Sequence, residues 1–183
     1  MLFRSFIHRR KFGTIWSDED KFRPKEFIRG LLIFFVLFGI AHFITYAVNP
    51  SDYKFVFNAD QFFIFLPAAL IMVPIQTLSE EMFFRGYLYQ AFGIAFRKKW
   101  MALIISSIFF GLFHFGNPEM AIDPWKMGFV YIGSGFMIGL CVMFSKGIEF
   151  GWGFHLINNL YLSLIVTWPG RSEERRVGKE CRL

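Results

Sequence analysis

Hydrophobic residues along this chain fall into long uninterrupted runs rather than into short amphipathic repeats. Stretches 31–48, 62–78, 101–116 and 127–144 carry no formal charge, and a fifth apolar stretch covers 148–168. Runs of this length are typical of transmembrane helices. Tryptophans at positions 100, 125 and 168 lie at the ends of runs, where interfacial anchors are expected. The pattern predicts an all-α, polytopic helical membrane bundle with about five transmembrane segments.

Residues 61–96 depart from this simple pattern because charged residues interrupt an otherwise apolar sequence. Two full crossings here would place the basic cluster 97–99 on the outer side, against the rule that inner loops are positive. We therefore expect one long or broken segment, kinked near Pro74, whose second half faces protein or a wet cavity. Whether this segment forms one kinked helix or two is left open.

Composition and charge agree with a membrane protein. The chain of 183 residues is 55% hydrophobic, with a net charge of +6, and it has two cysteines, so a disordered chain and a disulfide scaffold are excluded. Eight basic residues lie within residues 1–30, whereas the predicted outer loops hold only Lys54 and Lys126. This asymmetry predicts a multi-pass protein of the cell membrane with a cytoplasmic N-terminus, and it argues against nucleic-acid binding.

The chain divides into four parts on these grounds. We expect a basic cytoplasmic leader at 1–30, a first span with an outer loop at 31–60, and a core at 61–168. Residues 171–183 resemble the translation of a sequencing-library adapter and are interpreted as non-native, the alternative being a solvated charged tail. We accordingly expect a bacterial chain, truncated at its C-terminus, that naturally continues past Gly170.

The few ionisable residues inside the apolar runs are candidates for function, because each costs about 2.5–3.5 kcal/mol near the bilayer centre. Glu81 and Arg85 lie one helical turn apart in the orientation that favours an ion pair. Glu80 projects about 100° away from Glu81. One carboxylate would thus be paired and the other left to act; the alternative is that both acids neutralise Arg85 at a cytoplasmic helix end.

Two further pairs with the same spacing follow in later runs. Phe110 and His114 share one helical face, so that the ring walls one side of the imidazole. Taken alone, His114 is more simply a buried histidine with a backbone partner. His155 and Asn159 also share a face, where the amide would orient the imidazole or donate to an oxyanion.

Together these motifs carry a family resemblance. Glu-Glu-x-x-x-Arg at 80–85, Phe-x-x-x-His at 110–114 and His-x-x-x-Asn at 155–159, in this order on successive apolar segments, resemble the CPBP family. This family includes the type II CAAX prenyl endopeptidases and the bacteriocin-processing and bacteriocin-immunity (Abi) proteins. The resemblance covers about residues 60–168, so that the core at 61–168 is expected to be a CPBP-like protease core.

The resemblance implies an intramembrane endopeptidase and a role for each residue. Glu80 would be the general base that activates water, and His114 would hold that water, or a metal. His155 and Asn159 would stabilise the oxyanion, while Glu81 and Arg85 would keep the site in shape. The family is commonly described as a metalloprotease family, so a divalent metal such as zinc is a cofactor that the resemblance leaves undecided.

The resemblance also suggests partners and rivals. The implied substrate is a membrane-associated protein or peptide, either prenylated or bacteriocin-like, met within the lipid bilayer. The main alternative is a non-catalytic membrane immunity or scaffold protein of the same fold. A rhomboid-type serine protease using Ser134 and a transporter are weaker alternatives, because a glycine of the serine motif is absent and no internal repeat is visible.

Overall fold

The structure is a computed structural model, and it describes residues 12–121 and 123–166. Its main elements are five helices: α1 (Pro24–Val48), α2 (Ala59–Phe96), α3 (Lys99–Phe113), α4 (Pro124–Ser145) and α5 (Ile148–Leu164). Short 3₁₀ turns cover Phe12–Ile15, Pro50–Asp52 and Pro118–Ala121. Helices α1, α2 and α4 are long and apolar enough to cross a membrane. The prediction of an all-α helical membrane bundle is confirmed.

The helix boundaries predicted from the sequence agree less well with the structure than the predicted fold class does. Helix α1 begins at Pro24, well before the predicted start at residue 31. Helices α3 and α5 have only 15 and 17 residues, which is short for a full crossing. The end of the predicted segment 148–168 and the proposed non-native tail 171–183 lie outside the described residues.

Local signals in the sequence explain where several helices begin and end. The side chains of Asn58 and Asp123 accept hydrogen bonds from backbone amides three residues later, at 3.1 and 3.0 Å, and so cap α2 and α4. Pro24 occupies the first position of α1, where its missing N–H costs nothing. Arg97 and Lys146 adopt left-handed backbone angles and end α2 and α4.

Helix α2 is one continuous element of 38 residues, which answers the question that the sequence left open. Pro67 and Pro74 lie inside it without ending it. Its three parts are an α-helix at Ala59–Phe83, a π-helical turn at Phe84–Leu88 and an α-helix at Tyr89–Phe96. The departure from α geometry therefore falls at the turn that contains Arg85, and π turns of this kind often occur at functional sites.

Small residues bring the helices close together. On α4, Gly135 and Gly139 are four positions apart, a spacing of small residues that lets helices pack closely, and they face the Phe110 ring and Leu103 on α3. On α5, Gly153 lies against the backbone of α1 near Phe27. A Cβ at Gly153 would collide with the backbone of α1, a Cβ at Gly135 would crowd the Phe110 ring, and a Cβ at Gly139 would displace the end of the Leu103 side chain. Gly153 therefore sets how closely α5 approaches α1.

The segment before α1 is folded against the end of the bundle where α2 and α4 terminate. Ile15 packs with Val142 and Ile148, and the backbone of Ser17 pairs with that of Gly147 between α4 and α5. This end of the molecule also holds the basic residues 97–99 and Lys146, and we call it the basic end.

A buried ion pair fastens this segment to α5. Glu149 has no exposed surface and accepts hydrogen bonds from the backbone and guanidinium of Arg23, the shortest at 2.8 Å. These bonds raise the pKa of the Arg23 guanidinium. The position of Glu149 in the sequence, three residues after Lys146, does not reveal that the residue is fully enclosed by protein.

Candidate active site

The structure brings all six candidate residues into one connected cluster. They come from α2, from the end of α3 and from α5: Glu80, Glu81, Arg85, His114, His155 and Asn159. Each contact within this cluster joins atoms at most 3.7 Å apart. Their roles stay predictions, but the segments that carry them do meet.

Glu81 and Arg85 form the buried base of the cluster. An Nη of Arg85 donates to Glu81 Oε1 at 2.9 Å, and the other Nη donates to the carbonyl oxygen of Gly135 at 2.8 Å. The guanidinium also lies over the Phe110 ring, 4.5 Å from its centre. Both charged side chains are almost completely buried, so each requires the other to offset its loss of hydration.

His155 is held by this ion pair. Its Nδ1 lies 2.7 Å from Glu81 Oε1. Because a carboxylate beside an arginine accepts and does not donate, we assign the Nδ1 hydrogen to His155. In the neutral imidazole, Nε2 is then a bare acceptor. Asn159 Nδ2 lies 3.5 Å from this Nε2, on the same face of α5.

His114 reaches the same place from the end of α3. It is the first residue after the helix, and its Nδ1 lies 2.7 Å from the carbonyl oxygen of Phe110. A carbonyl oxygen only accepts, so this hydrogen also belongs to Nδ1 and leaves Nε2 bare. The imidazole packs against the Phe110 ring and stacks on Tyr131, with both ring centres 4.4 Å away.

Glu80 faces both imidazoles with one oxygen. Its Oε2 lies 3.7 Å from His114 Nε2 and 3.6 Å from His155 Nε2, beyond hydrogen-bonding distance. This oxygen is buried and has no hydrogen-bond partner among the described residues, whereas Oε1 accepts from Gln76 Nε2 at 3.0 Å. Three acceptor atoms thus converge on one point. Three neighbouring acceptors are stabilised when a proton or a hydrogen-bond donor such as water lies between them.

The family resemblance also raises the question of a metal. One glutamate and two histidines are chemically suitable zinc ligands. Within residues 12–121 and 123–166, however, no three His, Cys, Asp or Glu side chains are grouped so that they would hold a metal ion. The donor set is chemically suitable for zinc, and the metal stays a prediction that the reaction scheme does not use.

Two contacts of the cluster were missed by the sequence. Gln76 precedes Glu80 by one helical turn, and this spacing was a usable signal. Tyr131 lies on α4, and its hydroxyl accepts a hydrogen bond from Asn117 Nδ2 at 2.8 Å. Nothing in the local sequence links Tyr131 to His114, because the two are brought together only by the packing of α3 on α4.

Comparison with known proteins gives one curated relative and a family. The relative is the uncharacterized protein YyaK of Bacillus subtilis (strain 168), 36% identical over 163 residues. The alignment covers 88% of this chain and 54% of YyaK, so the chain spans about half the length of that relative. No solved structure matches. The family described as type II CAAX prenyl endopeptidase Rce1-like matches residues 60–161, which include all six candidate residues, and the chain belongs to this family.

Proposed function

We propose that the chain is an intramembrane endopeptidase that hydrolyses a peptide bond in a membrane-associated protein or peptide. The observation that carries the proposal is Glu80 Oε2, a buried carboxylate oxygen without a hydrogen-bond partner among the described residues, facing two bare imidazole nitrogens. Family membership supports the same reaction class. The Glu80 carboxylate is buried next to other acceptor atoms, and such a carboxylate is suited to act as a general base, unlike a solvated surface charge.

The first step is attack by water. A water molecule held at Glu80 Oε2 and His114 Nε2 gives one proton to Glu80 while its oxygen bonds to the substrate carbonyl carbon. The two imidazoles are fixed by their Nδ1 contacts, so their Nε2 atoms stay directed at that water. The water is therefore oriented before the reaction, and this lowers the entropic part of the activation free energy.

The second step stabilises the negative charge of the intermediate and expels the leaving group. The tetrahedral intermediate carries an oxyanion, which accepts a hydrogen bond from Asn159 Nδ2. It accepts a second one from His155 Nε2 while the proton that Glu80 took from water resides on that nitrogen, 3.6 Å from Glu80 Oε2, and the proton then passes back to Glu80. The carbon–nitrogen bond then breaks, and Glu80 returns its proton to the departing amine. Glu81 and Arg85 do not touch the reacting atoms in this scheme, and they act by holding His155.

The wider setting is also part of the proposal. The charge asymmetry favours a cell membrane with the N-terminus on the cytoplasmic side, and the bacterial relative favours a bacterial source. The substrate class is a prenylated protein or a bacteriocin-like peptide. The two classes differ in the lipid group, so a prenylated peptide and its unmodified twin form the natural pair of test substrates.

The test compares Glu80→Gln with the wild type in detergent or vesicles, on membrane-anchored peptides with and without a prenyl group. We expect cleavage to fall by about 10²- to 10⁴-fold, because general base catalysis contributes that much. Glu26→Gln is the matched control, since it removes a carboxylate from an exposed ion pair far along the chain. Chelator treatment of the same samples tests the metal requirement.

The outcomes separate the alternatives. Wild-type turnover by folded Glu80→Gln protein would remove Glu80 as the base. No cleavage of either peptide by the folded wild type would favour the non-catalytic immunity or scaffold protein. Loss of activity with chelator, restored by zinc, would show that the reaction needs the metal that the family resemblance implies.

A further inference from the structure

A second concave site lies at the basic end of the bundle, away from Glu80. It is a cavity of about 590 Å³ between the segment before α1, the second half of α2 and the turn from α4 to α5. The volume lies in the range of small-molecule sites. Much of the wall is apolar and aromatic, as at Trp16, Ile94 and Met143. Ile94 is 65% exposed, so the cavity continues onto the outer surface of α2.

The charged groups of this cavity are mainly cationic. Lys99 at the start of α3 and Lys146 at the end of α4 both line it, and neither forms an ion pair with a carboxylate within the described residues. Asp18 is the opposing acid in the lining. Arg85 closes the inner side, but Glu81 and the backbone of Gly135 already engage its guanidinium. The cavity therefore offers two ammonium groups beside an apolar wall.

We propose that this cavity binds the headgroup of an anionic phospholipid. The phosphate would lie between Lys99 and Lys146, and the glycerol and acyl chains would follow the apolar wall past Ile94 to the lipid-facing surface. Basic pockets between transmembrane helices on the cytoplasmic side have the chemistry that anionic headgroups require. The charge pattern places this end on the cytoplasmic side, where such lipids meet it.

The site stands apart from hydrolysis, and its proof does not depend on the proposed function. The lining reaches Arg85 but not Glu80, His114 or His155. Lipid binding is measured directly, by native mass spectrometry of the full chain in detergent, titrated with phosphatidylglycerol or with phosphatidylcholine. We expect the wild type to retain phosphatidylglycerol and to release phosphatidylcholine under the same conditions.

The first variant removes the two ammonium groups as Lys99→Ala/Lys146→Ala. Affinity for phosphatidylglycerol should fall by about tenfold per lysine, because a hydrogen bond to a charged group contributes on that order. The matched control is Lys54→Ala/Lys126→Ala, which removes the same charge from the opposite loops. The control should bind as the wild type does.

The second variant fills the cavity without touching any charge. Gly93 lines the cavity within α2, and a Cβ added there meets no atom of a neighbouring element within 4 Å. Gly93→Leu therefore adds bulk to the cavity from a position with open space, and it replaces a poor helix former with a good one. Gly39→Leu on α1 is the control, since a Cβ added there also meets no such atom within 4 Å. Only Gly93→Leu should lose the lipid.

Each outcome decides the proposal. Loss of phosphatidylglycerol in both test variants, with retention in both controls, supports it. Equal retention in Gly93→Leu and wild type overturns it, even if the lysine variant fails to fold. Inorganic phosphate that displaces the lipid completely at low millimolar concentration would assign the cavity to a free anion and overturn the lipid as its ligand.

Discussion

Two buried arginine–glutamate pairs in this molecule differ in how completely they are satisfied. At the basic end, Glu149 uses both oxygens, since Oε1 accepts from the backbone N and Nε of Arg23 and Oε2 accepts from an Nη. In the candidate site, Glu81 accepts from Arg85 and His155 through Oε1 alone. Its Oε2 is buried without a hydrogen-bond partner among the described residues.

The difference distinguishes an ion pair that only joins two segments from the ion pair of the proposed site. The first pair joins the segment before α1 to α5, across 126 positions of sequence, and no catalytic candidate contacts it. The second is joined through Glu81 Oε1 to His155, whose other ring nitrogen faces Glu80. A buried ion pair alone therefore indicates neither stability nor function. The two pairs are distinguished by whether a third side chain, here His155, is bonded to the glutamate.

Replacing each pair by apolar residues gives the largest expected contrast. Arg85→Met/Glu81→Leu should lower peptide hydrolysis by about 10²- to 10⁴-fold, since His155 loses the group that fixes its hydrogen. Arg23→Met/Glu149→Leu should leave hydrolysis within about threefold, because apolar replacement of a whole buried pair is often neutral for stability. The measurement is kcat/KM per folded molecule, with folding checked by circular dichroism.

This contrast would break if the two double variants behaved alike. Full activity in Arg85→Met/Glu81→Leu would show that His155 needs no partner at Nδ1. Complete inactivity of a folded Arg23→Met/Glu149→Leu protein would show that the basic end controls the site from a distance.

Sequence reasoning succeeded for contacts within one helix and failed for contacts between helices. Glu81 with Arg85, and Phe110 with His114, are separated by four positions, so helical periodicity alone places them together. The bonds from His155 to Glu81 and from Arg23 to Glu149 span 74 and 126 positions. From the family resemblance we expected His155 and Glu81 to lie in one site. The resemblance did not say which of their atoms form the hydrogen bond.

The helix boundaries show the same limit. Apolar composition located α3 and α5, but composition does not distinguish an apolar helix from an apolar loop. The apolar residues 114–116 therefore extended the predicted segment beyond Phe113, where α3 ends. Likewise, the charged start of α1 was assigned to the leader because its charged residues lower the local hydropathy, although Pro24 at the first helical position was a usable signal.

Breaking the structural pair from one side should reduce stability rather than activity. Arg23→Met leaves Glu149 buried without its counterion, which costs about 3–5 kcal/mol of unfolding free energy. The cost should largely disappear in Arg23→Met/Glu149→Leu, which removes the stranded charge. Unfolding in denaturant measures the loss, and kcat/KM of the remaining folded protein should be unchanged. A fall in kcat/KM without loss of stability would contradict the structural assignment.

A smaller effect tests the other side of the site, where a carbonyl oxygen and an aromatic ring hold His114. His114 is oriented by a backbone carbonyl and by stacking on Tyr131, which Asn117 holds at its hydroxyl. Tyr131→Leu should lower kcat by about tenfold with little change in KM, because an aromatic pair contributes about 0.5–1.5 kcal/mol beyond its burial.

Two controls separate stacking from other causes of that loss. Tyr131→Phe keeps the ring and loses the bond to Asn117, so it should retain most of the activity if stacking positions His114. Tyr46→Leu removes a tyrosine from the exposed ring pair of Tyr46 with Tyr53 and should have no effect on kcat. Equal losses in Tyr131→Phe and Tyr131→Leu would transfer the role from the ring to its hydroxyl.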